Sequence, residues 1–366
     1  MSIVIHLTSA HNRYDTRIFL KECQTISKSK FEVFLFVSDF KEDEKTNNFN
    51  IINLNNLKTS SRLLKIISFY INFLKRVNSY QPDIIHFHDP ELIILGFILK
   101  LKSFTVIFDI HESTHLQILQ KSYIPSIFKR SLSFAYFKVE RFFSKKYDAL
   151  IAATPYISKS LNGVNDNIET INNYPLLDDL LFTLKAKTSS NEIIYFGGIN
   201  KIRGIIPLIK AIEGTTFKLN LIGDFLEKNL KSELEKLPGW KNVIYHGFCG
   251  RKKINEIISR SSIGIVTYLD APNHINAQPN KLFEYMSCGL PIVGSNFPLW
   301  KEIIEGNNCG ICVDPSDSIE IQSAIRDIMS DPNKILKFSQ NGRKAIETKY
   351  NWEIEGKKLI NLYSAI

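Results

Sequence analysis

Short β-branched runs alternate with longer amphipathic ones along the chain. Residues 3–7 read as a strand, followed by a helical pattern near 16–29, a strand at 31–37 and a helical stretch near 60–80. A strand at 84–87, a helix after Asp89 and a strand at 105–110 come next, then a long helix near 124–146 and strands at 149–152 and 168–171. Strands alternating with helices build βαβ units and a parallel sheet. The rhythm lapses at 172–179 and 184–192, where turn formers cluster. It resumes with apolar runs at 193–196, 217–222, 243–246, 263–268, 291–295 and 311–313, and 352–366 reads as a terminal helix. The pattern predicts an α/β protein of two Rossmann-like, doubly wound domains, 1–185 and 186–366.

The composition agrees and narrows the partners. With 366 residues and 44% apolar positions, the chain has room for two or three domains and too much apolar content for disorder. The net charge is +9, and residues 51–160 carry 15 Lys/Arg against 7 Asp/Glu, so eight of the nine charges lie there. Such a concentration implies an anionic partner: nucleic acid, a phosphorylated ligand or an anionic membrane face. Five scattered cysteines do not make a disulfide framework, no apolar run is long enough to span a bilayer, and no targeting segment is recognisable, so a cytoplasmic setting is expected. Of 17 glycines only Gly96 and Gly163 precede residue 197, which puts the tight, ligand-facing turns in the second half. Neither G-x-G-x-x-G after the first strand nor a P-loop motif occurs, which argues against a dinucleotide dehydrogenase or a P-loop enzyme.

The most informative stretch runs from Gln278 to Ser295. Pro279 ahead of a helix and a Gly-Leu-Pro stop after it leave a helix N-terminus whose free N–H groups and partial positive charge suit a phosphate. Lys281 in its first turn works against the helix dipole, which favours a ligand role for it, and Glu284 one turn on can accept bonds from vicinal hydroxyls. A second phosphate-facing loop is Gly197-Gly198 with Arg203-Gly204, where a guanidinium can grip a diphosphate bidentately. In the first half, His86-Phe-His88-Asp89 and Asp109-Ile-His111-Glu112 each end a strand, where open α/β sheets bind ligands. The H-x-H pair beside a carboxylate is also a metal candidate, but spacing supplies no third and fourth ligand, and no metal or cofactor is expected. His86 reads as a hydrogen-bonded core histidine, and Cys309-Gly-Ile-Cys312, late and without a companion pair, as packing and turn.

Together, the 278–295 block, the 197–204 loop, the His-Phe-His-Asp strand end, the polar segment 9–22 and Asn173-Tyr-Pro resemble family 4 of the retaining GT-B glycosyltransferases, in particular bacterial members that build surface polysaccharides such as O-antigen or exopolysaccharide. The likeness runs essentially end to end. It implies two domains facing a cleft and transfer of a sugar from a nucleotide-diphosphate donor, with retention and without a bound metal. In that scheme Glu284 binds the ribose, Arg203 and Lys281 neutralise the diphosphate with Gly197 and Gly198 alongside, and His88 lies over the donor sugar. Asn276 stands where many members carry a first glutamate, and Gly198 replaces a basic residue common in that loop. Arg13, Asp15, Arg17, His111 and Glu112 are the acceptor-side candidates.

The basic segment then reads as a surface. No acidic residue falls between Glu44 and Asp83, where Lys45, Lys58, Arg62, Lys65, Lys75 and Arg76 lie. Arg130, Lys138, Arg141 and Lys145 share a helix face with Phe134 and Phe137, a pattern suited to an interfacial contact with anionic lipid. No nucleic-acid motif appears. The expected function is a glycosyltransferase peripheral to the inner face of the cell membrane, extending a polyprenyl-diphosphate-linked glycan. The alternatives are a nucleotide-sugar epimerase and a catalytically silent sugar-nucleotide-binding subunit of an assembly complex.

Overall fold

The computed structural model of the chain describes residues 2–54, 61–121, 124–177 and 190–366. It divides into two compact units, residues 1–173 with 352–366, and residues 174–351. The join expected at 185/186 falls outside the described residues, as does Lys58.

In the first unit, β1 (Ser2–Leu7), β2 (Phe31–Val37), β3 (Glu44–Lys45), β4 (Asn50–Asn53), β5 (Ile84–Phe87), β6 (Thr105–Ile110), β7 (Ala149–Ala152) and β8 (Ile168–Thr170) form one sheet. Its order is β3-β4-β2-β1-β5-β6-β7-β8, parallel apart from the antiparallel β3–β4 edge pair. Buried runs such as Val4–Leu7 and Ile84–Phe87 are apolar or neutral on both faces, as strands covered by helices on both sides must be. The core gathers Phe36, Phe69, Phe73, Phe87 and Phe108 with the aliphatic side chains of β1, β5 and β6.

The second unit repeats the plan with β9 (Glu192–Phe196), β10 (Lys218–Ile222), β11 (Val243–Gly247), β12 (Ile263–Val266), β13 (Ile292–Ser295) and β14 (Gly310–Val313). All are parallel, in the order β11-β10-β9-β12-β13-β14. In both sheets the chain first winds outward from one strand and then returns to that strand's other side. The order reverses between β1 and β5, and again between β9 and β12.

Several elements depart from the periodicity reading. The segment expected as a helix over 16–29 forms a π-helical turn at Ile18–Cys23 followed by α-helix at Gln24–Ser27. Its start is tied by Asp15, whose Oδ1 accepts from the N–H groups of Arg17 and Ile18 at 2.8 and 3.0 Å. The short strands β3 and β4 and the helix Thr114–Gln120 carry too few residues to show a period. Helix Trp352–Ala365, counted with the second domain by sequence, belongs to the first unit. Trp352 Nε1 donates to Thr25 Oγ1 at 2.7 Å, and Glu355 Oε2 accepts from Asn172 N at 2.7 Å.

Candidate functional site

Ligands of open α/β sheets bind where the strand order reverses, because the loops there part and leave a crevice. In the second unit those loops leave Phe196 and Val266. Gly197 has φ +114, and a Cβ on it would stand 3.0 Å from Lys281 Nζ. At Gly198 a Cβ would meet Leu226 at 2.7 Å and Arg203 Nη1 at 2.9 Å. The absence of a side chain at 198 makes room for the Arg203 guanidinium, which donates from Nη1 to the Gly198 carbonyl at 3.0 Å. The guanidinium thus fills the space that a side chain at 198 would take. Arg203 is presented by the 3-10 turn Lys201–Arg203, which Asn200 caps by accepting from Arg203 N at 3.1 Å.

Lys281 enters the first turn of helix Asn280–Ser287 and is buried. Its ammonium sits 3.9 Å from the ring centre of Tyr195 and 5.3 Å from that of Tyr268, which also lies 5.5 Å from the Arg203 guanidinium. Among the described residues no hydrogen-bond acceptor reaches Nζ. Burial and then the charge of Arg203 push the ammonium well below its ordinary range, with Glu284 partly opposing. Two cations backed by aromatic faces, beside a helix N-terminus and a positive-φ glycine, are the kinds of group that attract an anion.

Glu284 lies one turn further along, half-buried, with Oε1 accepting from Arg251 Nη1 at 3.0 Å. Sequence reasoning missed Arg251, which is 33 residues away and carries no motif. Asn276 falls in the turn 271–279 that precedes the helix and is half-buried. The two cysteines of the C-x-x-C spacing are buried and unpaired, and burial raises the Cys309 thiol to about 12.

The first unit has its own cluster at the ends of β1, β5 and β6. His6 lies on β1 and His86 on β5, while His88 and Asp89 directly follow β5 and His111 follows β6. Within it, His88 Nε2 faces His6 Nδ1 at 3.0 Å, and its Nδ1 faces His111 Nε2 at 3.3 Å and Asp109 Oδ2 at 3.4 Å. The His88 side chain is wholly enclosed, and burial first of all lowers its pKa to about 4, leaving a neutral ring. The cluster reaches the surface through His11 and His111, whose side chains are 31% and 17% exposed. Asp89 fastens the loop after β1, accepting from Thr8 Oγ1 at 2.9 Å and Ala10 N at 3.2 Å and pairing with His11 at 2.7 Å.

The other first-unit candidates have internal partners. Arg13 is buried between Asp39 and Glu44, at 2.5 and 2.9 Å. Arg17 is buried and grips Asp109 with Nε and Nη2, each at 2.9 Å. Asp15 caps the turn described above, and Glu112 is exposed beside His111.

Helix Ser126–Ser144 carries the second basic face. There Phe137 turns half inward and Arg141 donates to the Ser160 carbonyl at 2.5 Å, while Arg130, Lys138 and Lys145 stay exposed. Beyond them Phe128, Leu132, Val139 and Phe142 form an exposed apolar ridge that charge patterning had not revealed. Among the described residues no helix is long and apolar enough to cross a membrane.

Comparison with known proteins adds to this geometry. The model described as Glycosyltransferase Family 4 matches residues 17–174, and that described as Glycosyl transferases group 1 matches residues 178–345. The chain belongs to the family 4 GT-B glycosyltransferases. The chain is 34% identical over 202 residues to a sucrose synthase of Denitrovibrio acetiphilus, a match that covers 50% of this chain and 24% of the relative. The chain therefore spans about a quarter of that relative's length. In fold it is similar to sucrose-phosphate synthase from Thermosynechococcus elongatus, with TM-score 0.82 and 16% identity over 100% of this chain and 99% of that one. Anabaena HepE, crystallised with UDP-glucose, superposes with TM-score 0.73 and 13% identity over all of both chains. The two parallel-dominated sheets are those of the GT-B fold.

Proposed function

We propose that this family member transfers a sugar from a nucleotide-diphosphate donor, with retention at the anomeric carbon, to a glycan carried on a polyprenyl diphosphate during surface-polysaccharide assembly. The observation that carries the reading is Lys281: a buried ammonium without an acceptor, beside Arg203, where the second sheet reverses its order. Such a pair is ready-made for a departing diphosphate, whose charge grows in the transition state and is met by fixed cations and helix N–H groups rather than by a metal. Gly197 and Gly198 let that group approach the backbone. Glu284 takes the ribose hydroxyls by exchanging its bond from Arg251, and Asn276 contacts the donor sugar. A nucleotide-sugar donor is also supported by the UDP-glucose seen in the similarly folded Anabaena protein. The exposed cations and aromatics of helix Ser126–Ser144 support work at the anionic inner face of a membrane, where a polyprenyl-linked acceptor resides.

A thermal-shift screen of nucleotide sugars followed by transfer assays tests the proposal, since a ligand bound only by the folded state raises the melting temperature. Glu284→Ala is expected to weaken donor binding by roughly ten- to a hundredfold, the worth of hydrogen bonds to a charged group. Unchanged kinetics in that variant would sink the site. Donor binding without transfer would indicate a silent subunit, and product formed from donor without acceptor an epimerase.

A further inference from the structure

Spacing along the chain offers no third ligand to the His86-x-His88 pair, but the sheet does. Strand β6 lies beside β5, and it brings Asp109 and His111 against His88. Three donor atoms converge there: His88 Nδ1 is 3.3 Å from His111 Nε2 and 3.4 Å from Asp109 Oδ2, and the latter two are 3.0 Å apart. Ligands held at about 2.0–2.1 Å by one tetrahedral ion are separated by about 3.3 Å, so the triangle has the size a single ion sets.

The surroundings are built as the outer shell of such a site is built. A run of contacts leads away from His88: its Nε2 to His6 Nδ1 at 3.0 Å, His6 Nε2 to the Tyr363 hydroxyl at 3.2 Å, and that hydroxyl to His86 Nδ1 at 2.5 Å. Protons assigned in one direction along this run put a hydrogen on His88 Nε2 and leave the Nδ1 lone pair aimed into the triangle. Arg17 steadies Asp109 through both of its oxygens, and each carboxylate oxygen keeps a second lone pair.

Glu22 is fully buried beside these groups and is paired with Arg17. Arg17 Nε lies 2.9 Å from Oε1, while Oε2 sits 3.8 Å from both His88 Nδ1 and His6 Nδ1.

We propose that His88, Asp109 and His111 bind one divalent transition-metal ion of the zinc–cobalt–iron class, with Glu22 behind them and one coordination position open at the partly exposed edge of His111. Two histidines and one carboxylate with an open position are a common donor set for such ions. All these residues belong to the first unit, and the ion is given no part in holding the diphosphate, so this site and the Lys281 site stand or fall separately.

The test uses the full chain, stripped with a chelator and titrated with Co2+. One equivalent is expected to bind with a visible ligand-field band and a rise in melting temperature, and Zn2+ is expected to displace it. His111→Gln, at the accessible edge, is expected to lose the band and bind Co2+ roughly a hundredfold more weakly or worse, with an unchanged far-UV circular dichroism spectrum. Elemental analysis of the wild-type protein gives a reading that needs no variant. Failure of the stripped wild-type protein to take up Co2+ would overturn the proposal and leave protons as the cluster's occupants. Uptake undiminished in a folded His111→Gln variant would overturn it equally.

Discussion

Lys281 and Glu140 show how burial sets the behaviour of single residues. Lys281 is an exposed-type side chain that the fold encloses against Tyr195, so its charge is strained until an anion arrives. Glu140 is buried in helix Ser126–Ser144, and burial raises its carboxyl from 4.5 to about 7, with the Tyr136 hydrogen bond and Arg141 only partly opposing. The folded state therefore binds a proton there that the unfolded state has released. Stability from this group is complete below about pH 4.5 and is lost as the pH rises through about 7, by up to about 3 kcal/mol. Glu140→Gln, which stays neutral throughout, is expected to flatten this part of the curve and to be the more stable protein at pH 8. Urea titrations across pH 5–8 check it, and parallel curves for the two proteins would refute it.

At the level of elements, the helix Ser126–Ser144 carries two signals that sequence periodicity merges into one. Its inner stripe, including Ser133, Glu140 and Ser144, is buried, and its cations flank an outer apolar ridge. Cations at the edge and aromatics at the crest fit a helix lying in a lipid interface, with the rings inserted and the lysines at headgroup depth. Reversing the charge at Arg130, Lys138 and Lys145 is expected to lower binding to anionic liposomes by roughly a hundredfold or more, at about 1 kcal/mol per basic residue. Phe128→Ser with Phe142→Ser is expected to lower binding to neutral and anionic liposomes alike. Sedimentation of both variants with vesicles of each kind separates the two contributions, and unchanged binding in both would remove this face as the contact.

At the scale of the whole molecule, the last helix belongs to the first unit although the second unit precedes it in the chain. Trp352, Leu359 and Tyr363 are buried in it, and Tyr363 reaches His86 and His6 within the histidine cluster. Removal of residues 352–366 is expected to destabilise the first unit selectively, because large buried side chains are lost and the cluster is opened. Hydrogen exchange should show faster exchange in β1 and β5 and little change in β9 and β12. Uniform acceleration across both units would contradict this.

Much of this protein is legible in its sequence. The alternation of strand and helix, the glycine loop at 197–204 and the helix that presents Lys281 and Glu284 are local patterns, each written within a few residues by backbone preference and side-chain period. Tertiary structure alone decided what those residues meet. Gly198 gains meaning only when Arg203 fills its empty side, and Arg251 becomes relevant only through Glu284. Arg13 and Arg17, read as loop residues open to an acceptor, are drawn into buried ion pairs because Asp39, Glu44 and Asp109 arrive from other strands and loops. The triangle of His88, Asp109 and His111 exists because β6 adjoins β5, and strand order follows from long-range packing that no local period encodes.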